Sequence, residues 1–272
     1  MSFSSIKHVH VDSCWIESLP DSLEDLPILH HLRVASLSVA GRNLVPLLLQ
    51  RLLQPTLTML DSLDIEIHNL ADVDVFTSVV YDAAPQLQSF ALKVALSKFD
   101  PHLAEACWTA FGFPRFHVLQ SMKIVIDGEQ MRNTIWNLYM GKIICGLVSY
   151  MPATLQVLTL KLKIPYQYNM DNALGQLKEI DWISIDIAIG NISNLKSVVF
   201  EIAHYSSWTT ADVWQKCITE SLPKVHAMGL LRFKLPRRRY DIEPFTLILH
   251  VRQMIQSKAH AEASNECEGH WQ

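Results

Sequence analysis

The stretch Leu155-Gln-Val-Leu158-Thr-Leu160-Lys-Leu162-Lys-Ile164 decides the fold of this chain. Leucine or isoleucine occupies every second position from Leu158 onward, with threonine and lysine between. Successive side chains of a β-strand point to opposite faces, so the pattern predicts a strand with one apolar and one polar face. With the lead-in Leu155, the apolar residues stand at positions i, i+3, i+5 and i+7 of one unit.

The i, i+3, i+5 spacing recurs from Ile6 to Phe233 in this chain of 272 residues. The first residues of neighbouring units lie 23 to 40 positions apart, which leaves room for one strand and one helix in each unit. Repetition on this scale is typical of solenoid proteins. The predicted units are Ile6-Val9-Val11, Leu29-Leu32-Val34, Leu60-Leu63-Ile65, Leu87-Phe90-Leu92, Leu119-Met122-Ile124, Leu155-Leu158-Leu160, Leu195-Val198-Phe200 and Met228-Leu231-Phe233.

The segments between these strands carry helix signals, with aspartate or threonine at their starts and proline after their ends. Asp181 is a candidate break inside the fifth of them. The predicted helices span residues 43–54, 72–84, 100–111, 129–151, 171–189 and 209–221.

Alternating strands and helices predict a parallel sheet. Two architectures are compatible with this order, a doubly wound sheet covered on both faces and a curved solenoid covered on one. Strands buried on both faces are apolar throughout, whereas the intervening positions here are mostly polar. The sequence therefore predicts an α/β solenoid with the parallel sheet on its concave face and helices on its convex face.

The predicted domain organisation follows the repeats. Residues 1–240 form the repeat domain, 241–256 a C-terminal closing element, and the polar stretch 257–272 a disordered tail. A content of 49% hydrophobic and 18% charged residues fits a globular protein with a large core.

The L-x-x-L-x-L frame, repeated with a helix in each unit, resembles leucine-rich repeat proteins. The Leu-Gln-Ser tripeptides at 87–89 and 119–121, the irregular repeat lengths and the Leu222-Pro223 pair before the last strand are similar to the repeat portion of fungal F-box-type proteins, particularly those of mushroom-forming fungi. The resemblance covers about residues 3–235. It implies an irregular horseshoe that recognises substrates for an SCF-type ubiquitin ligase.

Two features depart from that family. Leucine-rich repeats usually carry asparagine or cysteine at i+8, and most units here carry other residues, so the usual side-chain ladder is not expected. The segment Leu19–Leu26 is similar to the start of an F-box, yet it lies between two predicted units and leaves no room for that module. The chain is therefore expected to be a receptor region without its docking module.

Positions i+2, i+4 and i+6 define the polar face of the predicted sheet, which we call the outer face. In-register parallel strands place equal positions side by side, so Asp64 and Glu66 are expected between Arg33 on one side and Lys93 and Lys123 on the other. The alternative is a solvated face whose ion pairs contribute only a few tenths to about 1 kcal/mol each. The candidate partner-binding residues are His10, Arg33, Asp64, Glu66, Lys93, Lys123, Thr159, Lys161, Glu201 and Arg232.

Other functional classes find less support in the sequence. G-x-S-x-G, H-E-x-x-H, P-loop and G-x-G-x-x-G motifs are absent, so no enzymatic role, catalytic residue or cofactor is predicted. His8, His10, His31 and Asp12 group near the start, but parallel side chains on a sheet edge rarely converge into a tetrahedral metal site, and no metal is predicted. A hydrolase stays open as an alternative for which no residues can be named.

A second alternative is binding of nucleic acid or a phosphoprotein through the lysine-rich part of the outer face. A net charge of −4 argues against nucleic acid, and a protein partner is preferred. The residues this alternative would use are Lys93, Lys123, Lys161, Arg232 and Lys234.

The expected setting is a monomer inside the cell, in the cytoplasm or nucleus. Five scattered cysteines without a C-x-x-C pair favour reduced thiols, and the N-terminus lacks the apolar core of a signal peptide. The apolar run from Thr134 to Met151 barely reaches the roughly 20 residues that span a bilayer and contains Lys142, so no membrane association is predicted.

Overall fold

A computed structural model of the chain describes residues 6–12, 34–40, 57–68, 70–95, 115–127, 136–163, 174–175, 177–203 and 211–234. Eight strands form one sheet, ordered as in the sequence, and each strand is parallel to its neighbours. The α/β class and the parallel sheet are thus confirmed. The strands are β1 (Ile6–Asp12), β2 (Val34–Ala40), β3 (Ser62–Ile67), β4 (Ser89–Ala95), β5 (Ser121–Asp127), β6 (Val157–Lys163), β7 (Ser197–Ala203) and β8 (Leu231–Lys234).

Helices connect several of these strands. They are α1 (Leu70–Ala83), α2 (Trp136–Ser149), α3 (Trp182–Gly190), α4 (Ala211–Ser221) and α5 (Pro223–Ala227). Among the helices of the described ranges, none is both long enough and apolar enough to cross a bilayer. The predicted helices at 43–54 and 100–111, the closing element at 241–256 and the tail at 257–272 lie outside the described residues.

The helix boundaries agree with the sequence in part. The break at Asp181 is confirmed: its carboxylate caps α3 by accepting hydrogen bonds from the N–H (3.1 Å) and the hydroxyl (2.6 Å) of Ser184. Asp72 was predicted to precede the first residue of α1, but it lies within the first turn and accepts a hydrogen bond from the His68 N–H (2.7 Å). Helix α5 was not predicted, because Pro223 was interpreted only as the end of α4.

One face of the sheet and the described helices share a single hydrophobic core. The i+3 and i+5 side chains of β3 to β6 are buried without measurable exposure, as the alternation predicts. Phe76 of α1, Ile143 of α2 and Ile185 of α3 belong to the same core, and Cys145 packs against it as a half-buried free thiol. The described helices therefore pack against one face of the sheet, and the opposite face carries most of the charged side chains of β3 to β8.

A ladder of backbone hydrogen bonds joins successive units just before their strands. In each of four neighbouring junctions, the carbonyl oxygen of residue i+1 accepts from the N–H groups of residues i+1 and i+2 of the next unit. The Gln120 carbonyl, for example, accepts from Gln156 (2.8 Å) and Val157 (2.9 Å). Since one carbonyl has two lone pairs, this arrangement satisfies two donors per junction. The Leu-Gln-Ser tripeptides at 87–89 and 119–121 lie in this ladder, and their leucines are buried.

The second predicted unit is shifted in the structure. The frame Leu29-Leu32-Val34 was expected, but β2 begins at Val34 and pairs Leu37 with Val9 of β1 and Leu63 of β3. The frame Val34-Leu37-Val39 is the one in use. Both frames satisfy the apolar spacing, and pairing with two neighbouring strands selects the second, which also places Ser36 beside Ser62.

Candidate functional site

The sheet register assembles the outer face as rows of adjacent side chains. The i+4 row runs through Asp64, Ala91, Lys123, Thr159, Val199 and Arg232. The i+6 row runs through Glu66, Lys93, Val125, Lys161, Glu201 and Lys234. Strands stand about 4.8 Å apart, close enough for long side chains of neighbouring strands to meet. The structure therefore brings together eight of the ten predicted residues, those on β3 to β8.

The other two predicted residues are placed differently. His10 lies on β1 and pairs with Ser38 of β2, which in turn pairs with Asp64. Arg33 was expected beside Asp64, but the shifted frame puts Ser38 at that position, and Arg33 itself lies outside the described residues. The predicted neighbour of Asp64 on this side was therefore wrong. His31 of the considered histidine cluster is likewise outside the described residues, and His8 is exposed.

On β3 to β6 the charges form the Glu66–Asp127 network. Lys93 Nζ lies 2.7 Å from Glu66 Oε1 and 3.9 Å from Asp127 Oδ2. Lys163 Nζ donates to the same Asp127 oxygen at 2.6 Å, and His68 Nε2 lies 3.4 Å from Glu66. Two carboxylates thus meet two lysines, and each lysine lies close to a carboxylate. Within this network, the two lysine charges balance the two carboxylate charges.

On β5 to β8 the charges form a different arrangement, which we call the Glu201 cluster. Lys234 Nζ donates to Glu201 Oε1 at 2.8 Å, while Lys123 Nζ and Lys161 Nζ each lie 3.8 Å from Glu201 Oε2. Lys123 belongs to β5 and Glu201 to β7, so this contact passes over β6. One carboxylate faces three lysines, which leaves two positive charges in excess.

Ionisation of the Glu201 cluster reflects this imbalance. Burial opposes ionisation of Glu201, but the hydrogen bond from Lys234 and the charges of Lys123 and Lys161 outweigh it, so the pKa of Glu201 lies below its usual value of 4.5. Burial, and next the charge of Lys123, lower the pKa of Lys161 below 10.5, although Glu201 acts in the opposite direction. The charge on Glu201 is therefore favoured by its surroundings and the charge on Lys161 is disfavoured.

The remaining predicted residues on the outer face differ in their exposure and in their hydrogen bonds. Asp64 is exposed, and Thr159 is half-buried between Lys123 and Val199. Arg232 donates from Nη1 to the carbonyl oxygens of Gly229 (2.9 Å) and Leu231 (2.7 Å). Its guanidinium therefore lies against the turn before β8, where Gly229 adopts a positive φ of 70°.

A shallow groove of about 360 Å³ lies at the edge where the central strands begin. It is lined by the i+1 residues of the backbone ladder and by the turns before them. Lys196 Nζ donates to Gln156 Oε1 at 2.8 Å, and Asn194 Nδ2 to the Ala153 carbonyl at 2.7 Å. The groove is lined by Val118, Gln120, Thr154, Gln156, Asn194 and Lys196.

Three residues of the charged networks were not among the sequence candidates. Asp127 and Lys163 are both at i+8, where they pair across β5 and β6, and His68 follows β3. Extending the alternation one further step along each strand identifies them, because the strands continue past i+7. In the portion of the chain that the structure describes, no three histidine, cysteine or acidic residues are grouped to hold a metal ion.

Comparison of the chain with protein-family models and with curated protein sequences gives no match.

Proposed function

We propose that this chain is an irregular repeat solenoid of leucine-rich-repeat type that binds a protein through its outer face. The observation that carries the proposal is the outer face itself, a sheet surface with interleaved lysines and carboxylates rather than a packed apolar layer. Charges of both signs, fixed in position by their neighbours, give orientation and selectivity to protein association. Extended repeat surfaces of this kind are suited to large partners.

The dimensions of the outer face favour a protein over a small molecule. Eight strands at about 4.8 Å spacing and about seven residues each at about 3.3 Å give a surface of roughly 34 by 20 Å. That is about 700 Å², close to the about 800 Å² that each partner contributes to a standard protein–protein interface. The groove at the sheet edge, about 360 Å³ in volume, is lined by residues outside the i+4 and i+6 rows.

The resemblance to fungal F-box-type proteins supports a more specific role, recognition of substrates for a ubiquitin ligase. The repeated strand–helix unit and the Leu-Gln-Ser tripeptides are the features on which this part of the proposal depends. Similarity of fold alone does not fix function, so the partner has to be identified directly.

The test is an affinity pull-down with mass spectrometry, followed by binding of the captured protein to charge-reversed variants. Asp64→Lys and Lys123→Glu alter exposed or half-exposed positions of the i+4 row, and each should weaken binding by introducing repulsion at the contact. Both should leave stability within about 0.5 kcal/mol of the parent. Lys216→Glu, on the exposed side of α4, is the matched control and should bind normally. Unchanged affinity in both outer-face variants would contradict the proposal.

A further inference from the structure

The Glu201 cluster holds more positive charge than its own side chains neutralise. Lys123, Lys161 and Lys234 approach one carboxylate from three different strands. Like charges this close repel, and the repulsion is strongest where the side chains are shielded from water. A group carrying two negative charges would balance the excess.

Two of the three ammonium groups also have hydrogen-bonding capacity to spare. The 3.8 Å separations from Glu201 to Lys123 and Lys161 exceed hydrogen-bond length, so these contacts are electrostatic only. Among the described residues, neither ammonium group has an acceptor within hydrogen-bonding distance. Each ammonium carries three donors, and these remain available to an acceptor outside the chain.

The other half of the outer face shows that this excess is local. Lys93 is on the same i+6 row, yet it faces both Glu66 and Asp127. Its charge is matched within the protein, and the same holds for Lys163 beside Asp127. Among the described residues, these two lysines are each close to a carboxylate, whereas the Glu201 cluster sets three lysines against one carboxylate.

The strands between Lys123 and Lys234 carry short side chains at their i+4 positions. Thr159 and Val199 occupy the i+4 positions that follow Lys123, and both are short, half-buried side chains. Thr159 lies on the same strand as Lys161 and adds a hydroxyl group to this part of the outer face. The lowered pKa of Lys161 is consistent with a charge that costs stability in the free protein, a common property of binding residues.

We infer that the Glu201 cluster binds a phosphorylated serine, threonine or tyrosine side chain of the partner protein. A phosphoryl group carries −1.5 to −2 charges near neutral pH and three strong acceptor oxygens, which match the two excess charges and the unused donors. Lysine binds phosphate through a single localised positive charge, and Lys123, Lys161 and Lys234 supply three such charges. The inference rests on the proposed function and adds the chemical class of the partner's contact group.

The test measures fluorescence anisotropy of the full chain with degenerate peptide pools. One set has a fixed central phosphoserine, phosphothreonine or phosphotyrosine, and matched sets have the unmodified residue or glutamate. At least one phosphorylated pool should bind more tightly than both matched pools, by about ten- to hundredfold for each charged hydrogen bond gained.

The double variant Lys123→Gln/Lys234→Gln should lose that preference, and Lys123→Arg/Lys234→Arg should retain it. The control Lys93→Gln should also retain it.

Each of the following four results would overturn the inference. Glutamate pools that bind as well as the phosphorylated pools would mean a site for any carboxylate. A preference that survives in the Lys123→Gln/Lys234→Gln variant would place phosphate recognition elsewhere. A random single-stranded oligonucleotide that binds more tightly than every phosphopeptide pool, with affinity falling steeply between about 50 and 200 mM salt, would indicate nucleic acid. If the partner's affinity depends on Asp64 or Lys123 while no phosphate preference appears, the proposed function stands and only this inference fails.

Discussion

Asp186 caps the short helix α5 through the backbone of Val225. Its carboxylate Oδ1 accepts a hydrogen bond from the backbone N–H of Val225 at 2.9 Å. Its Oδ2 accepts one from the backbone N–H of Lys224, also at 2.9 Å. The residue at the N-cap of α5, Leu222, supplies no side-chain hydrogen bond of its own. A buried acid on α3 therefore satisfies donors that the helix start would leave unpaired.

Removing this carboxylate should destabilise the protein. Asp186→Ala leaves two N–H groups without their acceptor, one of them buried, at a cost of about 1–3 kcal/mol. Asp186→Asn keeps one carbonyl oxygen and should cost less. Urea denaturation of both variants measures the loss. Glu220→Gln, an exposed change on α4, serves as the control, and an Asp186→Ala variant as stable as that control would contradict the capping role.

The repeat core predicts a large effect at the centre of the sheet. Leu160 of β6 is fully buried between Ile124 and Phe200 of the neighbouring strands. Truncation to alanine removes buried methyl groups and leaves a cavity, so Leu160→Ala should lower the free energy of unfolding by about 2–5 kcal/mol. Thr159→Ala, one residue earlier and facing outward, should change it by less than about 0.5 kcal/mol. Equal effects at the two positions would contradict the assigned faces.

Acid should weaken the Glu201 cluster. The folded-state pKa of Glu201 is below its usual 4.5, so the unfolded chain takes up a proton on this group more readily than the folded protein. Its stabilising contribution is complete above about pH 4.5 and is lost as the pH falls through the folded-state pKa. The difference in unfolding free energy between the parent and Glu201→Gln should therefore shrink below pH 4.5. A difference that stays constant from about pH 7 to pH 3 would contradict this assignment.

Replacement by methionine should affect stability differently at Lys161 and at Lys93. The pKa of Lys161 lies below 10.5, so its charge is disfavoured on folding, and stability should rise as the pH rises through the folded-state pKa of Lys161. At neutral pH, Lys161→Met should be at least as stable as the parent. Lys93→Met breaks a 2.7 Å contact with Glu66 and should lose about 0.2–1 kcal/mol. Thermal denaturation of the pair tests this, and a Lys161→Met variant less stable than Lys93→Met would refute it.

The sequence was sufficient to predict the sheet because its strands keep one apolar spacing from unit to unit. The exception, the second unit, contains two overlapping frames that share Val34. Serine at i+2 distinguishes them, since Ser36 aligns with Ser62 and Ser89 while the rejected frame has His31 at that position. Apolar spacing alone carries no information on this choice, because pairing with the neighbouring strands decides it.

The sequence predicted most residues of the charged networks, but it did not predict which lysine contacts which carboxylate. Alternation placed Glu66 beside Lys93, and the structure joins them at 2.7 Å. Lys123 was expected beside Asp64 and Glu66 of β3. Its ammonium group instead lies near Glu201 of β7, on the opposite side of β5. A lysine has four rotatable side-chain bonds, so its contact depends on the charges around it as well as on its row position.

The most direct test of the outer face as a protein-binding surface is lysine labelling with and without the captured partner. Reaction with an acylating reagent, quantified by mass spectrometry, compares each lysine in the free and bound protein. Lys123, Lys161 and Lys234 should become protected in the complex, while the exposed helix lysines Lys142 and Lys216 should react as before. Protection of the helix lysines with unchanged labelling of the outer-face lysines would contradict the account.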